Sequence, residues 1–399
     1  MRASRFAFAA AAGLLAAGTA IGSAKAEEIK IGVFLGFTGP IESIVADMGP
    51  AAELAIKEVN DSGKLLGGSS VVGVRGDTTC VDAAAATAAA ERLVTSDKVA
   101  AIVGGDCSGV TGAALQNVAR PNGVVMVSPS ATSPGLSTAE DDGLFFRTAP
   151  SDARQGEIVA DILKGKGISN IAISYTNNDY GKGLADSIAT NFTNGGGTVT
   201  INAPHEDGKG DYTAEVAALA AAGGEVLVVA GYTDQGGRGI VQASLDTGAF
   251  DTFYFPDGMI GEALEVNFGS DIDGSFGAHP GTDSPGAATF AEMAEANGFS
   301  AGPFAGESYD AAALIMLAMQ AAGSSESGAL KDKIMMVANA PGEKIFPGEL
   351  GKALDIIAGG GDVDYVGASA VELIGPGESA GNYREIKIDG GKIMTVGYR

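Results

Sequence analysis

Residues 98–134 read KVAAIVGGDCSGVTGAALQNVARPNGVVMVSPSATSP, and this stretch decides the fold class. An apolar run, Ala100–Val103, gives way to the turn Gly104-Gly105-Asp106-Cys107-Ser108-Gly109. Val110–Arg120 then spaces its apolar residues as a helix does. A second apolar run, Val124–Val127, ends in Ser128-Pro129-Ser130-Ala131-Thr132-Ser133. Short strands that are apolar on both faces and separated by helices belong to a parallel sheet covered on both sides.

The same alternation extends in both directions. Upstream, Ile29–Leu35 and Val71–Arg75 read as strands, with Pro50–Asn60 and Val81–Val94 as helices and Asp77 just after the second strand. Downstream of Pro150 a second series begins. Its helices are Gln155–Lys164, Gly183–Phe192, Thr213–Ala222 and Gly239–Asp246; its strands are Ile171–Tyr175, Thr198–Ile201, Val226–Ala230 and Thr252–Phe255. Further helices follow at Phe290–Ala296, Tyr309–Ala322 and Gly348–Ala358. Two doubly wound α/β units of similar size, then extra helices, predict two lobes with a cleft between them. No repeat of fixed period is present. Glycine pairs such as Gly104-Gly105 and Gly236-Gly237 sit at strand-to-helix turns, but no Gly-x-Gly-x-x-Gly follows the first strand and no Gly-Lys-Ser/Thr occurs. A nucleotide-dependent enzyme therefore lacks its signature.

The N-terminus predicts export. Arg2 and Arg5 precede an apolar run from Phe6 to Ala17, and Ala24-Lys25-Ala26 fits a signal-peptidase site. The run is shorter than the ~20 residues a membrane span needs, and no Cys near the cleavage site offers a lipid attachment point. Residues 1–26 thus read as a signal peptide and 27–399 as the mature chain, long enough for two lobes of ~150–200 residues. The formal charge is −24 and becomes more negative without Arg2, Arg5 and Lys25. A surface this acidic repels nucleic acid and anionic lipid, so no nucleic-acid partner is expected. Cys80 and Cys107 are the only cysteines, and in an oxidising compartment a lone pair reads as a disulfide. With two histidines, His205 and His279, neither a His/Cys metal site nor any other cofactor is expected.

In an open parallel sheet, ligands sit beyond the carboxyl ends of the strands. The first series offers Asp106, Ser108, Ser130, Ala131 and Thr132 there, with hydroxyls and helix-start amides suited to a carboxylate. Ser108 and Thr132 also read as plain helix caps; two adjacent turns of the same chemistry favour a site. The second series offers Tyr180 in Asn178-Asp179-Tyr180-Gly181, Tyr232 in Ala230-Gly231-Tyr232, and Asp257 and Gly258 in Phe255-Pro256-Asp257-Gly258. An Asp at that place suits an ammonium, and the tyrosines suit an apolar body. A turn-forming Asp before Gly and ordinary tyrosine packing are the plainer accounts.

Taken together, the chain resembles the branched-chain amino-acid-binding proteins of ATP-driven (ABC) bacterial importers, the leucine/isoleucine/valine-binding type. The resemblance rests on Ile29-Lys30-Ile31-Gly32, Thr38-Gly39-Pro40, Ala52-Glu53-Leu54-Ala55, Asp77-Thr78-Thr79-Cys80, Val103–Ser108, Ser128–Pro134, Arg147-Thr148, Tyr180-Gly181 and Gly231-Tyr232. It implies a type I periplasmic-binding fold, two doubly wound parallel-sheet lobes joined by a three-stranded hinge. Residues 27–148 and 279–375 would form one lobe, 149–278 and 376–399 the other, with crossovers near Thr148–Ser151, Phe276–Pro280 and Ile374–Gly381. It implies that Ser108 and Thr132 bind a ligand α-carboxylate, that the Ser130 carbonyl, Thr132 and Asp257 hold the α-ammonium, and that Tyr180 and Tyr232 close over it. It also implies a Cys80–Cys107 disulfide, an amino-acid-like ligand, an inner-membrane permease as partner, and a periplasmic monomer.

Three departures bear on the ligand. Asp257 stands where the family usually has Glu. Asp106 occupies a pocket-lining place where Leu would suit an aliphatic side chain. Glu42 lies near a lid position that usually carries an aromatic. A buried unpaired carboxylate is costly, so Asp106 predicts a polar ligand group, a water, or a side chain turned out of the pocket. Two other functions share these features: a ligand-sensing receptor of the same fold, and an exported hydrolase using Ser108 or Cys107. For the hydrolase, a base is missing: His205 reads as a surface-loop residue and His279 lies at a crossover. Gly-x-Ser-x-Gly occurs at Gly298–Gly302 and Gly377–Gly381, in neither case on a strand-to-helix turn.

Overall fold

The computed structural model describes residues 26–399; the signal-peptide reading falls on residues that, Ala26 apart, lie outside it. Ten strands build two α/β units in succession. The first unit holds β1 (Glu28–Leu35), β2 (Ser70–Asp77), β3 (Ala101–Gly104), β4 (Val125–Ser128) and β5 (Phe145–Pro150). The second holds β6 (Asn170–Thr176), β7 (Thr198–His205), β8 (Val226–Ala230), β9 (Phe253–Phe255) and β10 (Phe276–Pro280). Then β11 (Glu343–Ile345) and β12 (Val363–Tyr365) pair with each other, and β13 (Leu373–Ile374) and β14 (Glu378–Ser379) return to the first sheet. The hairpin of β15 (Tyr383–Asp389) and β16 (Lys392–Tyr398) completes the second.

The sheet orders are β13-β14-β5-β4-β3-β1-β2 and β16-β15-β10-β9-β8-β6-β7. Each is parallel through its first-formed strands, with antiparallel pairs at β13–β14, β10–β15 and β15–β16. In each sheet the strand order reverses beside the first strand of the series, which opens a crevice at the strand ends. Three segments pass between the units, after β5, after β10 and between Ser379 and Tyr383. The last passage falls a few residues beyond 376, because β14 pairs with β5.

The strands form because β3, β4 and β8 are β-branched or small apolar residues with every position buried. The helix Ala305–Ala322 is buried at every position from Glu307 to Met319, which explains why its sequence lacks a polar face. It packs against the helix Glu42–Ser62. That helix begins well before Pro50, where the sequence places its start. Burial of Val45, Met48, Ala51 and Ala52 outweighs the N–H that Pro50 lacks. The helix Ser327–Ala338 and the β15–β16 hairpin were not foreseen from the sequence. His205 is a correction: it ends β7 and is 1% exposed, with Nδ1 on Ser174 Oγ at 2.8 Å. Burial holds its pKa down to about 4, so it packs as a neutral core side chain rather than on a surface loop.

The two cysteines form the expected disulfide, joining the turn after β2 to the turn after β3 across 27 residues. On the chain-entropy account a loop of that length stabilises the fold by about 3–4 kcal/mol. The double variant Cys80→Ser/Cys107→Ser is expected to lose that much in urea denaturation while keeping its circular dichroism spectrum.

Candidate ligand-binding site between the lobes

The ends of β3 and β4 present two turns that are laced together. β3 ends at Gly104, where φ is 131° and a Cβ would lie 2.0 Å from the Phe34 carbonyl, so only glycine fits. Ser128 Oγ donates to the Gly105 carbonyl at 2.5 Å and accepts from Ala131 N at 2.9 Å. Ser130 Oγ donates to the Asp106 carbonyl at 3.2 Å, and Ser133 N donates to Ser108 Oγ at 3.0 Å. Ser108 is buried and keeps its own hydroxyl proton for a further acceptor.

Arg147 fixes this arrangement from behind. It is 1% exposed, and its guanidinium donates to the carbonyls of Ala131 at 2.9 Å and Ser133 at 3.0 Å. It also donates to Ser137 Oγ at 2.7 Å and pairs with Glu378 at 2.5 Å. One buried cation thereby ties the β4 turn to the last passage between the units.

The facing wall belongs to the second unit and is locked internally. Tyr180 and Tyr232 stack with centroids 5.2 Å apart and ring planes 16° from parallel. Tyr180 OH donates to Asp257 Oδ1 at 2.7 Å and accepts from Gly258 N at 3.2 Å; Asn178 donates to Tyr232 OH at 3.3 Å. A Cβ at Gly258 would sit 2.6 Å from the Gly231 carbonyl and 2.8 Å from Tyr180 OH. The two walls are in contact: Ser43 N donates to Asp234 Oδ2 at 2.9 Å, and Asp234 N to the Pro40 carbonyl at 3.2 Å.

Between the walls lies a cavity with about 340 Å³ not filled by atoms. Asp106, Ser108, Ser130, Tyr180, Tyr232, Asp257 and Gly258 line it, as the sequence anticipates. Ala131 and Thr132 sit behind these on the same loop, and the Ala131 carbonyl is taken by Arg147. Glu42 is exposed, and its neighbours Ile41 and Ile44 reach the cavity instead, with Met48 and Phe304. Those apolar residues were missed because α-helical spacing alone does not tell a cleft-facing stripe from a core-facing one.

Asp106 is turned away from any ligand's charge. Its Oδ2 accepts from Gly36 N at 2.5 Å and its Oδ1 from Thr78 Oγ1 at 2.7 Å. Burial pushes its pKa up and these bonds pull it back. The carboxyl is satisfied by its own lobe.

A second carboxyl was not foreseen. Asp152 opens the helix Asp152–Gly165 and its N–H donates to the Thr132 carbonyl at 2.8 Å. Both its oxygens are buried, as are both polar atoms of Gln155 and the Thr132 hydroxyl. Thr132 approaches Asp152 and Gln155 approaches Asp257 closely enough to lower the pKa of each carboxyl, but the Thr132, Asp152 and Gln155 side chains reach no well-formed hydrogen-bond geometry. Burial raises the pKa of Asp152 well above the ordinary Asp range, with the nearby Asp257 charge adding; burial also raises Asp257. The only sequence signal for Asp152 was its place after a strand, in Pro150-Ser151-Asp152, where it also reads as an ordinary first-turn acid.

A family model described as periplasmic binding protein matches residues 28–341. The chain belongs to the periplasmic binding protein family. The Leu/Ile/Val-binding protein homolog 3 of Brucella melitensis is 30% identical over 316 residues, 78% of this chain and 84% of that protein. The branched-chain amino acid transporter substrate-binding protein LivJ of Streptococcus pneumoniae, solved with isoleucine, matches at TM-score 0.76 and 23% identity. That alignment covers 93% of this chain and 99% of that one. A solute-binding protein of R. palustris, solved with benzoate, matches at TM-score 0.73 and 19% identity, over 93% and 96% of the two chains. The fold is accordingly the type I periplasmic-binding fold.

As a periplasmic binding protein the chain is a solute binder rather than an enzyme, and its cleft agrees. Cys107 is held in the disulfide, His205 rests on Ser174 in the second sheet, and His279 lines a different cavity. No imidazole faces Ser108 to take its proton. Among the described residues no helix is long and apolar enough to cross a membrane, and no cluster of metal-ligating side chains occurs.

Arg147→Met leaves the partly buried Glu378 without its cation and frees two loop carbonyls. A loss of about 3–5 kcal/mol is expected in chemical denaturation, with Arg147→Lys recovering only part of it because an ammonium cannot reproduce the fork. Asp106→Leu is expected to lower stability, by stranding Gly36 N and Thr78, rather than to change the ligand profile; a thermal-shift panel separates the two effects.

Proposed function

We propose that this chain is the solute-binding component of an ABC importer, exported to the periplasm, and that it closes as a monomer over a small α-amino acid with an aliphatic side chain. One observation carries the ligand class. Asp257 lines the cavity and Asp152 lies behind it; both are buried, and among the described residues neither joins an ion pair with a basic side chain, the Arg147 charge near Asp152 being taken by Glu378. Two such carboxyls favour a ligand that brings a cation. An aromatic carboxylate such as benzoate brings none and adds a like charge.

In this reading the ligand carboxylate accepts from the Ser108 hydroxyl and from the Thr132 amide, the Ser130 and Ala131 amides being directed to Ser128 Oγ. Its ammonium pairs with Asp257 and reaches the Ser130 carbonyl and the Thr132 hydroxyl, with Asp152 behind. Tyr180 and Tyr232 cover it from the second lobe, so the ligand completes contacts to both lobes and favours the closed form. Ile41, Ile44, Met48 and Phe304 receive the side chain, and a wall of that kind gains by burying methyl groups. The closed pair of lobes then docks on an inner-membrane permease.

Calorimetry with a panel of L-amino acids and benzoate tests the reading. Small aliphatic amino acids are expected to bind, benzoate is not, and Asp257→Ala is expected to weaken binding by about 2–5 kcal/mol. Near-native affinity in Asp257→Ala removes the residue from the site. The sign of the pH dependence also follows. An ammonium stabilises the ionised carboxyls, whose pKa values burial has raised, so binding releases protons. Affinity is therefore expected to fall as the pH is lowered through the raised titration range of these carboxyls, and to fall less in Asp152→Asn.

A further inference from the structure

A second cavity lies on the far side of Phe304, with about 1000 Å³ not filled by atoms. Phe304 is the residue that the two cavities share, and its backbone holds a left-handed conformation, φ 62°, uncommon for an aromatic residue. The walls of the second cavity come from both sides of the hinge. His279 on β10, Arg384 on β15 and Tyr398 on β16 face Glu307 and Ser369, which pack with the first unit.

Two of these side chains are more than nine-tenths buried. His279 is 6% exposed; its Nδ1 completes no hydrogen bond, and the Pro280 carbonyl lies near the ring. Glu307 is 5% exposed, and its carboxyl is approached only by its own backbone N–H. Arg384 donates Nε to Thr395 Oγ1 at 2.8 Å and joins no ion pair among the described residues. Burial and then the nearby Arg384 hold the His279 pKa down to about 3, whereas Glu307, lifted to about 8 by burial, has Asp310 as its charged neighbour. The Glu307 and Asp283 carboxyls and the Arg384 guanidinium line the same cavity, with an imidazole that is neutral at physiological pH near the last. A purely structural account explains a neutral buried acid or a solvated arginine singly. It does not explain why groups of opposite charge open together into one cavity.

We propose that this cavity is a second binding site, for a small zwitterion whose ammonium pairs with Glu307 and whose carboxylate pairs with Arg384, with the His279 imidazole hydrogen-bonded to it. Probes of graded length read out the charge separation it accepts. An occupant touches the strands of one unit and the helix start of the other, so it braces the hinge from outside the inter-lobe site. The proposal does not depend on what the inter-lobe site binds.

The test is calorimetry on the full mature chain carrying Asp257→Ala, with β-alanine, γ-aminobutyrate and δ-aminovalerate as probes. One equivalent of at least one probe is expected to bind. Adding Glu307→Gln or Arg384→Met is expected to weaken that binding at least about tenfold, and n-butylamine, which lacks the carboxylate, is expected to bind at least about tenfold more weakly. Glu307→Gln alone is expected to leave the affinity for α-amino acids within about twofold. If Asp257→Ala does not fold, the same titration is run on the native chain saturated with an α-amino acid. No binding of any probe up to about 10 mM, binding indifferent to Glu307→Gln, or one-for-one competition with the α-amino acid overturns the proposal. Failure of the inter-lobe reading shows separately, as α-amino-acid affinity unchanged by Asp257→Ala.

Discussion

The buried Arg147 guanidinium is the contact on which the rest of the site depends. It reaches the carbonyls of Ala131 and Ser133, the Ser137 hydroxyl and the Glu378 carboxylate. A planar fork with five donors can hold a loop and a crossing strand at once, which an ammonium cannot. Burying the charge is costly, and the four acceptors met by the two terminal nitrogens offset that cost. The β4 turn is therefore set by a residue that never touches the cavity. Because Glu378 lies on β14, just before the last passage between the lobes, the β4 turn is tied to the strand that leads into the hinge.

Around that fixed turn, the protein distributes its polar groups unevenly. Asp106, Asp310 and Glu58 are spent on structure: each accepts from backbone N–H groups or hydroxyls of distant segments, as Asp310 does from Tyr365, Ala368 and Ser369. Asp152, Gln155 and Thr132 lie near the cleft with side chains that complete no well-formed hydrogen bond. Buried polar groups are normally paired, so these three stand apart from the rest of the interior. The tyrosine wall shows the complementary tactic. Stacking and the Asp257–Tyr180 bond hold that surface rigid, so little ordering remains to oppose ligand binding.

The fold was legible because its evidence is local and repeated. All-apolar strands such as Val226–Ala230 separated by Ala-rich helices admit few arrangements, and the turns after β3, β4, β8 and β9 carried the cavity residues Asp106, Ser108, Ser130, Tyr232 and Asp257. What was missed lacks a local signature. Asp152 looks like any acidic first-turn residue until both oxygens are seen to be unpartnered. Ile41 and Ile44 differ from core isoleucines only in what lies opposite. His205 sits in a polar, Pro-containing stretch that reads as a loop, yet β7 carries it into the second unit beneath Gly231 and Gly236.

By itself, then, the sequence determined the two α/β units, the positions where strands end, and the chemistry available at those ends. These follow from hydrophobic period, chain length and turn residues, which act over a few positions. The tertiary structure alone decided which donors each of those groups meets. Asp106 and Asp257 are both aspartates at a strand-end turn, and nothing local separates them. Packing turned the first toward Gly36 and Thr78 and left the second at the cleft beside Asp152. The reason is that a carboxyl's role is set by the donors around it, and those donors come from segments far away in the chain.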